Sequence, residues 1–539
     1  MTLTEQSLQD FIASHESKVV DLSKDHALVY FQANASGKQE DFEKAAVISL
    51  ALNKIYADKD DFAKLKEFKE KAADISDPIL KRELVILYNA YLGNQMDVAD
   101  LEKIIQLEKE IETKFSTYRA KVDGEEISDN QINEVLRKST DSQKLESTWK
   151  ASKQIGHMVA VDVLKFVNLR NQAAQKLGFK NFHEMSLELN EQDPQEIETV
   201  FDELDELTRD VFARAKQEMD QALAKQYGIA EAELMPWHFH DRFFQAVPRI
   251  HDLDLDRFFT GKDVIKITRD YYQGIGLPID DLIQKSDLLE RPGKYQHAYC
   301  MDVDKKGDIR VMASVKDNEY WMATMLHEFG HAAYDKYIDK SLPWTLRGAN
   351  HIFMTEAVAM LFGRMTHSPA WLIEAAGAEP EDAKNIAAQS EKYLKFNELI
   401  FTRWAQVVYR FEKSMYENPN QDLEKLWWDL VSKYQLLNKP QGWSGADWAA
   451  KVHIALYPAY YHNYVLGSLF ASQIKHQIDT QVLNTRAYGD YSFVGKTEVG
   501  QYFIEKIFIP GKKINWKKLV LDATGSELSP QFFADQILK

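Results

Sequence analysis

Apolar residues recur at helical spacing through most of this chain. One long series falls at intervals typical of one helix face: Leu101, Ile104, Ile105, Leu107, Ile111, Phe115 and Tyr118. Another helix is predicted to begin at Asp193-Pro194 and to run to about Lys225, because Asp is a good N-cap and Pro suits the first helical position. A third long helix is predicted over residues 380–415. The pattern predicts a mostly α protein.

One stretch departs from the helical pattern. Residues 299–303 and 309–313 are short, mainly apolar runs, separated by a polar turn that contains Gly307. They predict a β hairpin within residues 295–313. No linker rich in proline, glycine or serine divides the chain, and no internal repeat is found. We therefore expect residues 1–539 to form a single unit of two helical lobes.

The composition narrows the class of protein. Hydrophobic residues make up 45% and aromatic residues 12% of the chain, as in globular proteins. The net charge of −17 argues against nucleic acid and anionic membrane as partners, and no segment approaches the roughly 18 apolar residues of a membrane span. Cys300 is the only cysteine, which excludes an intrachain disulfide and a cysteine metal cluster. The N-terminus has no signal-peptide pattern, so we expect a protein that is either cytoplasmic or exported with a signal peptide absent from this sequence.

The strongest chemical signal is the His-Glu-Phe-Gly-His segment at residues 327–331. Upstream, Asn318 offers a helix N-cap, and the residues between it and the segment are nearly all apolar, which predicts a buried helix. Residues i and i+4 of a helix share one face, so His327 and His331 can bind the same metal ion. Glu328 lies beside them without having to bind it. The segment therefore indicates a metallopeptidase.

A catalytic zinc ion usually takes three protein ligands, so a third donor is expected on another element. Glu356, 25 residues after His331, is the candidate, because an ionised carboxylate within such an apolar helical run needs a partner. The zinc-binding helices are therefore predicted within residues 317–365. We expect one Zn²⁺ per chain, bound by His327, His331 and Glu356.

Four further segments extend this motif into a family resemblance. They are Arg347-Gly348-Ala349-Asn350 before Glu356, Gln296-His297-Ala298-Tyr299-Cys300-Met301-Asp302, Lys451-Val452-His453-Ile454 and Tyr461-His462-Asn463-Tyr464. With the zinc motif, they resemble the angiotensin-converting enzyme family of zinc peptidases, which remove dipeptides from peptide C-termini. The resemblance implies a mostly α, two-lobed, zincin-like fold with a deep central channel and a small β hairpin beside the zinc helix.

The resemblance implies a catalytic role for three residues. Glu328 would be the general base that accepts a proton from a zinc-bound water and later gives it to the leaving amine. Tyr464 would donate a hydrogen bond to the oxyanion, with His453 as a second donor.

Five residues would bind the substrate by the same resemblance. His297 and the backbone of Ala298 would hold the peptide as an added strand. Lys451 and Tyr461 would contact the terminal carboxylate, and Tyr460 is the alternative to Tyr461. A fixed cation at this place would make the peptidase count residues from the C-terminus.

Several positions depart from the family pattern. The interval between His331 and Glu356 is one residue longer than usual, and Phe329 is more typical of the thimet-oligopeptidase and oligoendopeptidase family. A glutamine that helps to bind the substrate carboxylate would fall near Phe239 or His240. We therefore expect this anchor to be missing.

Two other departures concern the surroundings of the zinc ion. Asn463 replaces an arginine that is tied to chloride activation, so no chloride dependence is expected. Met360 stands where the family has an aspartate that braces a zinc histidine. We expect Asp335, four residues after His331 and on its face, to brace a histidine instead.

Together these features predict a zinc peptidase that hydrolyses short peptides as a peptidyl dipeptidase (dipeptidyl carboxypeptidase). The alternative enzyme is an oligoendopeptidase of thimet type. Outside enzymes, an inactive peptide-binding relative remains open, as does a helical scaffold whose motif arose by chance. The scaffold predicts neither stoichiometric zinc nor cleavage.

Overall fold

A computed structural model describes residues 2–250 and 253–538, except for the side chain of Val98. Within them the α-helices are α1 Leu3–Ser36, α2 Gln39–Tyr56, α3 Lys59–Glu70, α4 Pro78–Gly93, α5 Val98–Thr117, α6 Asp129–Lys138, α7 Ser142–Lys176, α8 Phe182–Leu189, α9 Pro194–Tyr227, α10 Val264–Gly274, α11 Asp280–Lys285, α12 Glu319–Tyr337, α13 Ile352–Gly363, α14 Pro369–Glu374, α15 Pro380–Glu417, α16 Leu423–Gln435, α17 Val452–Leu456, α18 His462–Gln477, α19 Thr497–Phe503, α20 Trp516–Thr524 and α21 Pro530–Leu538. The strands are β1 Ala120–Val122, β2 Glu125–Ile127, β3 Tyr299–Asp302 and β4 Ile309–Met312.

The predicted mostly α fold is confirmed. The side chain of Asp193 caps α9 by accepting hydrogen bonds from the N–H groups of Gln195 and Glu196. The helix ends at Gly228, whose φ of +66° is a conformation that glycine adopts at little cost. The series beginning at Leu101 lies in α5, and the helix predicted over residues 380–415 is α15.

The hairpin predicted within residues 295–313 is also confirmed. β3 and β4 pair antiparallel, with Tyr299 opposite Met312 and Asp302 opposite Ile309. A second hairpin, formed by β1 and β2, was not predicted. Its turn residues Asp123 and Gly124 both have positive φ, the Asp-Gly signal of a tight hairpin turn. Strands of three residues are too short to show an alternation of apolar and polar residues, so the Asp-Gly pair was the only sign of this hairpin in the sequence.

Two hydrophobic cores occupy the described residues. The smaller one is built by the N-terminal helices and their connections, from Leu8, Phe11, Ile12, Leu65, Ile75, Leu80, Leu84, Leu87 and Tyr91. The larger one extends from Ile104 to Ile537 and includes the hairpin and α12. The division into two lobes of one unit stays a prediction. No helix among the described residues is both long and apolar enough to cross a membrane.

The C-terminal end of α1 lies against the segment that leads into β3. The rings of Tyr30 and Phe31 lie 6.2 and 6.3 Å from the ring of Tyr299. The N–H of Tyr295 donates to the carbonyl oxygen of Asn34 at 2.9 Å. The end of α1 therefore covers Tyr299 at the start of β3.

Glycines allow α12, α13 and α18 to approach one another closely. A Cβ on Gly330 of α12 would lie 2.9 Å from the Cα of Ala359 on α13. A Cβ on Gly467 of α18 would lie 3.3 Å from the Cβ of Glu356. Larger side chains at these two positions would push the helices apart, so the glycines set the spacing of the helices around Glu356.

Candidate metal centre

Two neighbouring helices bring the three predicted ligands together. The side chain of Asn318 accepts a hydrogen bond from the N–H of Trp321 at 3.0 Å and starts α12, as predicted. Four residues separate His327 from His331, so both imidazoles leave α12 on the same face. Glu356 comes from α13, which packs against that face.

The donor atoms of these residues form one cluster. The Nε2 atoms of His327 and His331 lie 3.2 Å apart. Oε2 of Glu356 lies 3.7 Å from Nε2 of His327, and the three donor atoms all lie within 4.8 Å of one another. One ion could therefore contact all three.

The electrostatics of the cluster suit a cation. Burial lowers the pKa of His327 to about 4, and burial followed by the charge of His327 lowers that of His331 to about 3. Burial also raises the pKa of Glu356 to about 7. At 3.2 Å, one neutral imidazole can donate its Nε2–H to the Nε2 lone pair of the other. With both rings in the tautomer that carries the proton on Nδ1, both Nε2 lone pairs and the Glu356 carboxylate would be free to bind one divalent ion.

Thr355, not Asp335, orients His331. The Thr355 hydroxyl oxygen lies 2.6 Å from Nδ1 of His331, and this contact fixes the ring while Nε2 faces the cluster. Sequence reasoning missed Thr355. The expectation for Asp335 is wrong, because among the described residues no hydrogen bond joins its carboxylate to His327 or His331.

Glu328 lies beside the cluster and is held by the hairpin. Its carboxylate accepts a hydrogen bond from the N–H of Cys300 in β3. Burial, and then the charge of Glu356, raises the pKa of Glu328 to about 8. The arrangement leaves Glu328 next to the donor atoms and outside the group of three.

Two tyrosines of the Tyr460–Tyr464 segment face the same cluster. Their rings lie 5.3 Å apart, and the hydroxyl of Tyr464 is hydrogen-bonded to that of Tyr460. After burial, the charge of Glu356 raises the pKa of both hydroxyl groups. Both are therefore protonated donors near neutral pH, as an oxyanion requires.

Tyr461 points to a neighbouring group of side chains. Its buried hydroxyl accepts a hydrogen bond from Nε1 of Trp404 at 2.7 Å. Nζ of Lys451 lies 5.4 Å from the centre of its ring, and the Lys451 ammonium donates to Oε1 of Gln245 at 2.8 Å. Burial lowers the pKa of Lys451 to about 8. The ring of Tyr464 lies 5.5 Å from that of Tyr461, which joins this group to the metal cluster.

A glutamine, Gln245, lies beside Lys451, although none stands at Phe239 or His240. Phe239 and His240 are buried elsewhere, where Nε2 of His240 bonds the Tyr227 hydroxyl at 2.7 Å. The glutamine beside Lys451 lies five residues after His240. The intervening segment has no regular structure, so a match by position could not locate it.

The two other predicted histidines have different surroundings. The ring of His453 lies 5.2 Å from that of Tyr461, and its buried Nδ1 has no hydrogen-bond partner among the described residues. Burial lowers the pKa of His453 to about 4. His297 is exposed, with its ring 5.3 Å from that of Tyr295, and Ala298 is half-buried. The structure thus joins His453 to the Lys451 group and leaves His297 at the start of the hairpin.

The donor cluster is partly exposed. His327 leaves 29% of its side chain exposed, although the protein around it depresses its pKa strongly. Asp335 and Cys300 show the same combination of partial exposure and a pKa shifted by burial.

A mostly α fold with this donor cluster and an adjacent glutamate defines the class of helical metallopeptidases. A family model described as angiotensin-converting enzyme matches residues 2–533. The chain therefore belongs to the angiotensin-converting enzyme family of peptidases, whose substrates are peptides. The thimet-type alternative finds no support in this match.

The chain also shows a low sequence identity to a curated protein. Over 266 residues, the chain is 24% identical to Carboxypeptidase 1 of Bacillus subtilis (strain 168), a match that covers 43% of this chain. The chain spans about half the length of that relative, since 50% of it is covered.

Proposed function

We propose that this protein is a zinc peptidyl dipeptidase that releases dipeptides from the C-termini of short peptides. The observation that carries the proposal is the Lys451–Gln245 pair beside Tyr461, one ring contact from Tyr464 and the metal cluster. A fixed ammonium group and an amide close to the hydrolytic site suit a terminal carboxylate. The name of the relative Carboxypeptidase 1 agrees with an action at the C-terminus.

His327, His331 and Glu356 would hold the zinc ion, which supplies a Lewis acid for the scissile carbonyl. Two histidines and one glutamate are a common ligand set of catalytic zinc. Glu328 would accept a proton from the attacking water and pass it to the leaving nitrogen, because it adjoins His327 on α12, interacts with the charge of Glu356 and is not a ligand. Tyr464 would donate to the carbonyl oxygen as negative charge develops, with His453 as a second donor.

The hairpin would align the peptide. β3 is an edge strand of its two-stranded sheet, and its Cys300 N–H already contacts Glu328. A peptide that pairs with the segment from His297 through β3 would pass directly by the base. Lys451, with Tyr461 and Tyr460 as neighbours, would then fix the distance from the terminal carboxylate to the cut.

The test compares a tetrapeptide with a free C-terminal carboxylate and its C-terminal amide, with products identified by mass spectrometry. The wild type, loaded with zinc, should release a dipeptide from the acid. Glu328→Gln should keep its zinc and lose roughly 10²- to 10⁴-fold in kcat, as expected for a general base. Lys451→Met should weaken hydrolysis of the acid only. The exposed Lys433→Met serves as the control.

Each rival function gives a distinct result. Equal cleavage of acid and amide would favour an oligoendopeptidase. Bound zinc and bound peptide without cleavage would identify an inactive peptide-binding relative. A protein without stoichiometric zinc would leave only the helical scaffold.

A further inference from the structure

A carboxylate that the proposed mechanism does not use lies behind the Lys451–Gln245 pair. It belongs to Asp241, in the irregular segment that leads from His240 to Gln245. Oδ1 of Asp241 accepts hydrogen bonds from the N–H groups of Phe243 at 2.7 Å and Gln245 at 3.3 Å. Oδ2 accepts a hydrogen bond from Nε2 of the Gln245 side chain at 3.3 Å. Asp241 therefore contacts both the backbone and the side-chain amide of Gln245.

The neighbours of the Gln245 amide allow it only one orientation. An ammonium group only donates, so the amide atom that faces Nζ of Lys451 at 2.8 Å must be the oxygen. An ionised carboxylate only accepts, so the amide atom that faces Asp241 must be the nitrogen. A turned amide would set its N–H groups against the ammonium and its oxygen against the carboxylate. Asp241 and Lys451 thus fix the same orientation of the amide from its two ends.

The segment that carries Asp241 is held in a strained conformation. His240 and Phe244 have φ angles of +62° and +51°, in the left-handed region that residues other than glycine rarely adopt. Nε2 of the buried Gln435 donates to the carbonyl oxygens of Phe243 at 2.9 Å and Phe244 at 2.8 Å. Strained backbone that the surrounding side chains hold in place is concentrated at functional sites. The segment is therefore built to present Gln245 in a fixed position.

The ammonium group of Lys451 depends on this amide. Among the described residues it forms a single hydrogen bond, to Gln245, and no ion pair. Its Nζ lies 5.4 Å from the ring centres of Trp404 and Tyr461 and 5.6 Å from that of Phe243. Aromatic rings attract a cation through their faces but do not accept a directed hydrogen bond as an oxygen does. The Gln245 oxygen thus sets the direction of the remaining N–H groups of Lys451.

We propose that Asp241 is a positioning residue of the carboxylate anchor, which turns the Gln245 amide oxygen toward Lys451. The remaining N–H groups of the ammonium and the second N–H of the amide then face the terminal carboxylate of the peptide. This inference rests on the proposed function, because it concerns the same anchor.

The test compares kcat/KM of the zinc-loaded enzyme for tetra-alanine and for its C-terminal amide. Asp241→Asn is selective, because its oxygen can still accept from the backbone N–H groups while its amide nitrogen would attract the Gln245 oxygen away from Lys451. The acid-to-amide ratio of kcat/KM should fall roughly 10-fold, as for the loss of a hydrogen bond to a charged group. Hydrolysis of the amide should stay nearly unchanged, whereas a merely structural role would lower hydrolysis of both peptides.

Asp304→Asn is the matched control. Asp304 accepts hydrogen bonds from the N–H groups of Lys306 at 2.8 Å and Asp308 at 3.0 Å, two and four residues ahead, as Asp241 does. It lies in the turn between β3 and β4, so its variant should keep the wild-type ratio. If Asp241→Asn does not fold, Asp241→Ser keeps an acceptor for the Phe243 N–H and should lower the ratio in the same way.

A double variant shows whether Asp241 acts through Gln245. Gln245→Met should lower the acid-to-amide ratio to a similar extent, and adding Asp241→Asn should lower it no further. The rival explanation is a direct effect on Lys451, since the charge of Asp241 opposes the fall in the pKa of Lys451 that burial causes. A further fall in the double variant would overturn the positioning role in favour of this direct effect.

The wild type separates this inference from the proposed function. If the wild type prefers the acid and Asp241→Asn prefers it equally, the positioning role is wrong and the peptidyl dipeptidase stands. If the wild type cleaves acid and amide alike, both are wrong. Calorimetric Kd values of the two peptides with zinc-loaded Glu328→Gln repeat the comparison without cleavage. In that background Asp241→Asn should reduce the preference for the acid, and an unchanged preference would overturn the inference even in a protein that only binds peptides.

Discussion

The imidazole of His331 is contacted at both of its nitrogens. Nδ1 is hydrogen-bonded to the Thr355 hydroxyl at 2.6 Å, and Nε2 lies in the donor cluster, 3.2 Å from Nε2 of His327. Thr355 directly precedes Glu356, so one turn of α13 supplies both a ligand and the group that orients another ligand. A hydrogen bond to the far nitrogen fixes the tautomer and the ring plane of a metal-binding histidine.

Thr355→Ala should therefore weaken zinc binding by roughly 10- to 100-fold, the usual effect of losing such a contact. Competition with a zinc chelator measures this change. Thr355→Ser, which keeps the hydroxyl, should restore most of the affinity. Thr324→Ala is a matched control on α12, because that hydroxyl only bonds back to the carbonyl oxygen of Tyr320. Unchanged affinity in Thr355→Ala would show that the ring needs no such support.

Residues of the candidate site differed in how far the sequence could predict them. His327, His331 and Glu356 were found because local spacing and an apolar context mark them. Thr355 and Gln245 were missed, since only the packing of distant segments brings them into contact with His331 and Lys451. A threonine in a helix and a glutamine in an irregular segment carry no pattern of their own.

At the scale of elements, the spacing of α12 and α13 decides whether the donor atoms meet. Gly330 stands between His327 and His331 on α12, and it packs against the backbone of Ala359 on α13. The helices and the β3–β4 hairpin were predictable, because periodicity is a local property. The close approach at Gly330 was not predictable, because a glycine within a helical pattern does not show which residue of another helix it will pack against.

Gly330→Ala should destabilise the protein by about 1–3 kcal/mol, as overpacking does. Its new methyl group meets backbone, which has no other rotamer to adopt. Urea denaturation measures the change, and zinc affinity should fall with it. Gly274→Ala is the control, since the nearest atom to its Cβ is 3.6 Å away. That variant should be neutral or more stable by up to about 1 kcal/mol. Equal stability of both variants would contradict a tight helix contact.

At the scale of the whole molecule, the two cores meet through a buried polar contact. The Thr345 hydroxyl donates to the carboxylate of Glu83 on α4 at 2.6 Å. Glu83 is 5% exposed, and burial raises its pKa to about 7. The amino-acid pattern did not predict this contact, because 262 residues separate its partners.

Glu83 should make stability depend on pH. In the unfolded chain it ionises near pH 4.5, and in the folded chain near pH 7, so the folded state holds its proton longer. Its contribution to stability therefore falls as pH rises from about 4.5 to 7 and is constant above. Glu83→Gln should be more stable than the wild type by about 1–3 kcal/mol at pH 8 and nearly equal at pH 4.

Urea midpoints of both proteins at several pH values measure this difference. Glu67→Gln, at an exposed glutamate of α3, is the control and should show no such trend. A difference between Glu83→Gln and wild type that does not change with pH would place the Glu83 carboxylate in water.

The N-terminal core is synthesised well before the segment that the end of α1 contacts. Tyr91 is the last residue of that core in the sequence. Tyr299, which contacts the end of α1, follows about 200 residues later. At 5–20 residues per second, translation takes on the order of 10–40 s to cover this interval. The first helices thus leave the ribosome with all residues of their own core. The face of α1 that carries Tyr30 and Phe31 is not yet covered by Tyr299. During that time, we expect this apolar face of α1 to be open to chaperones.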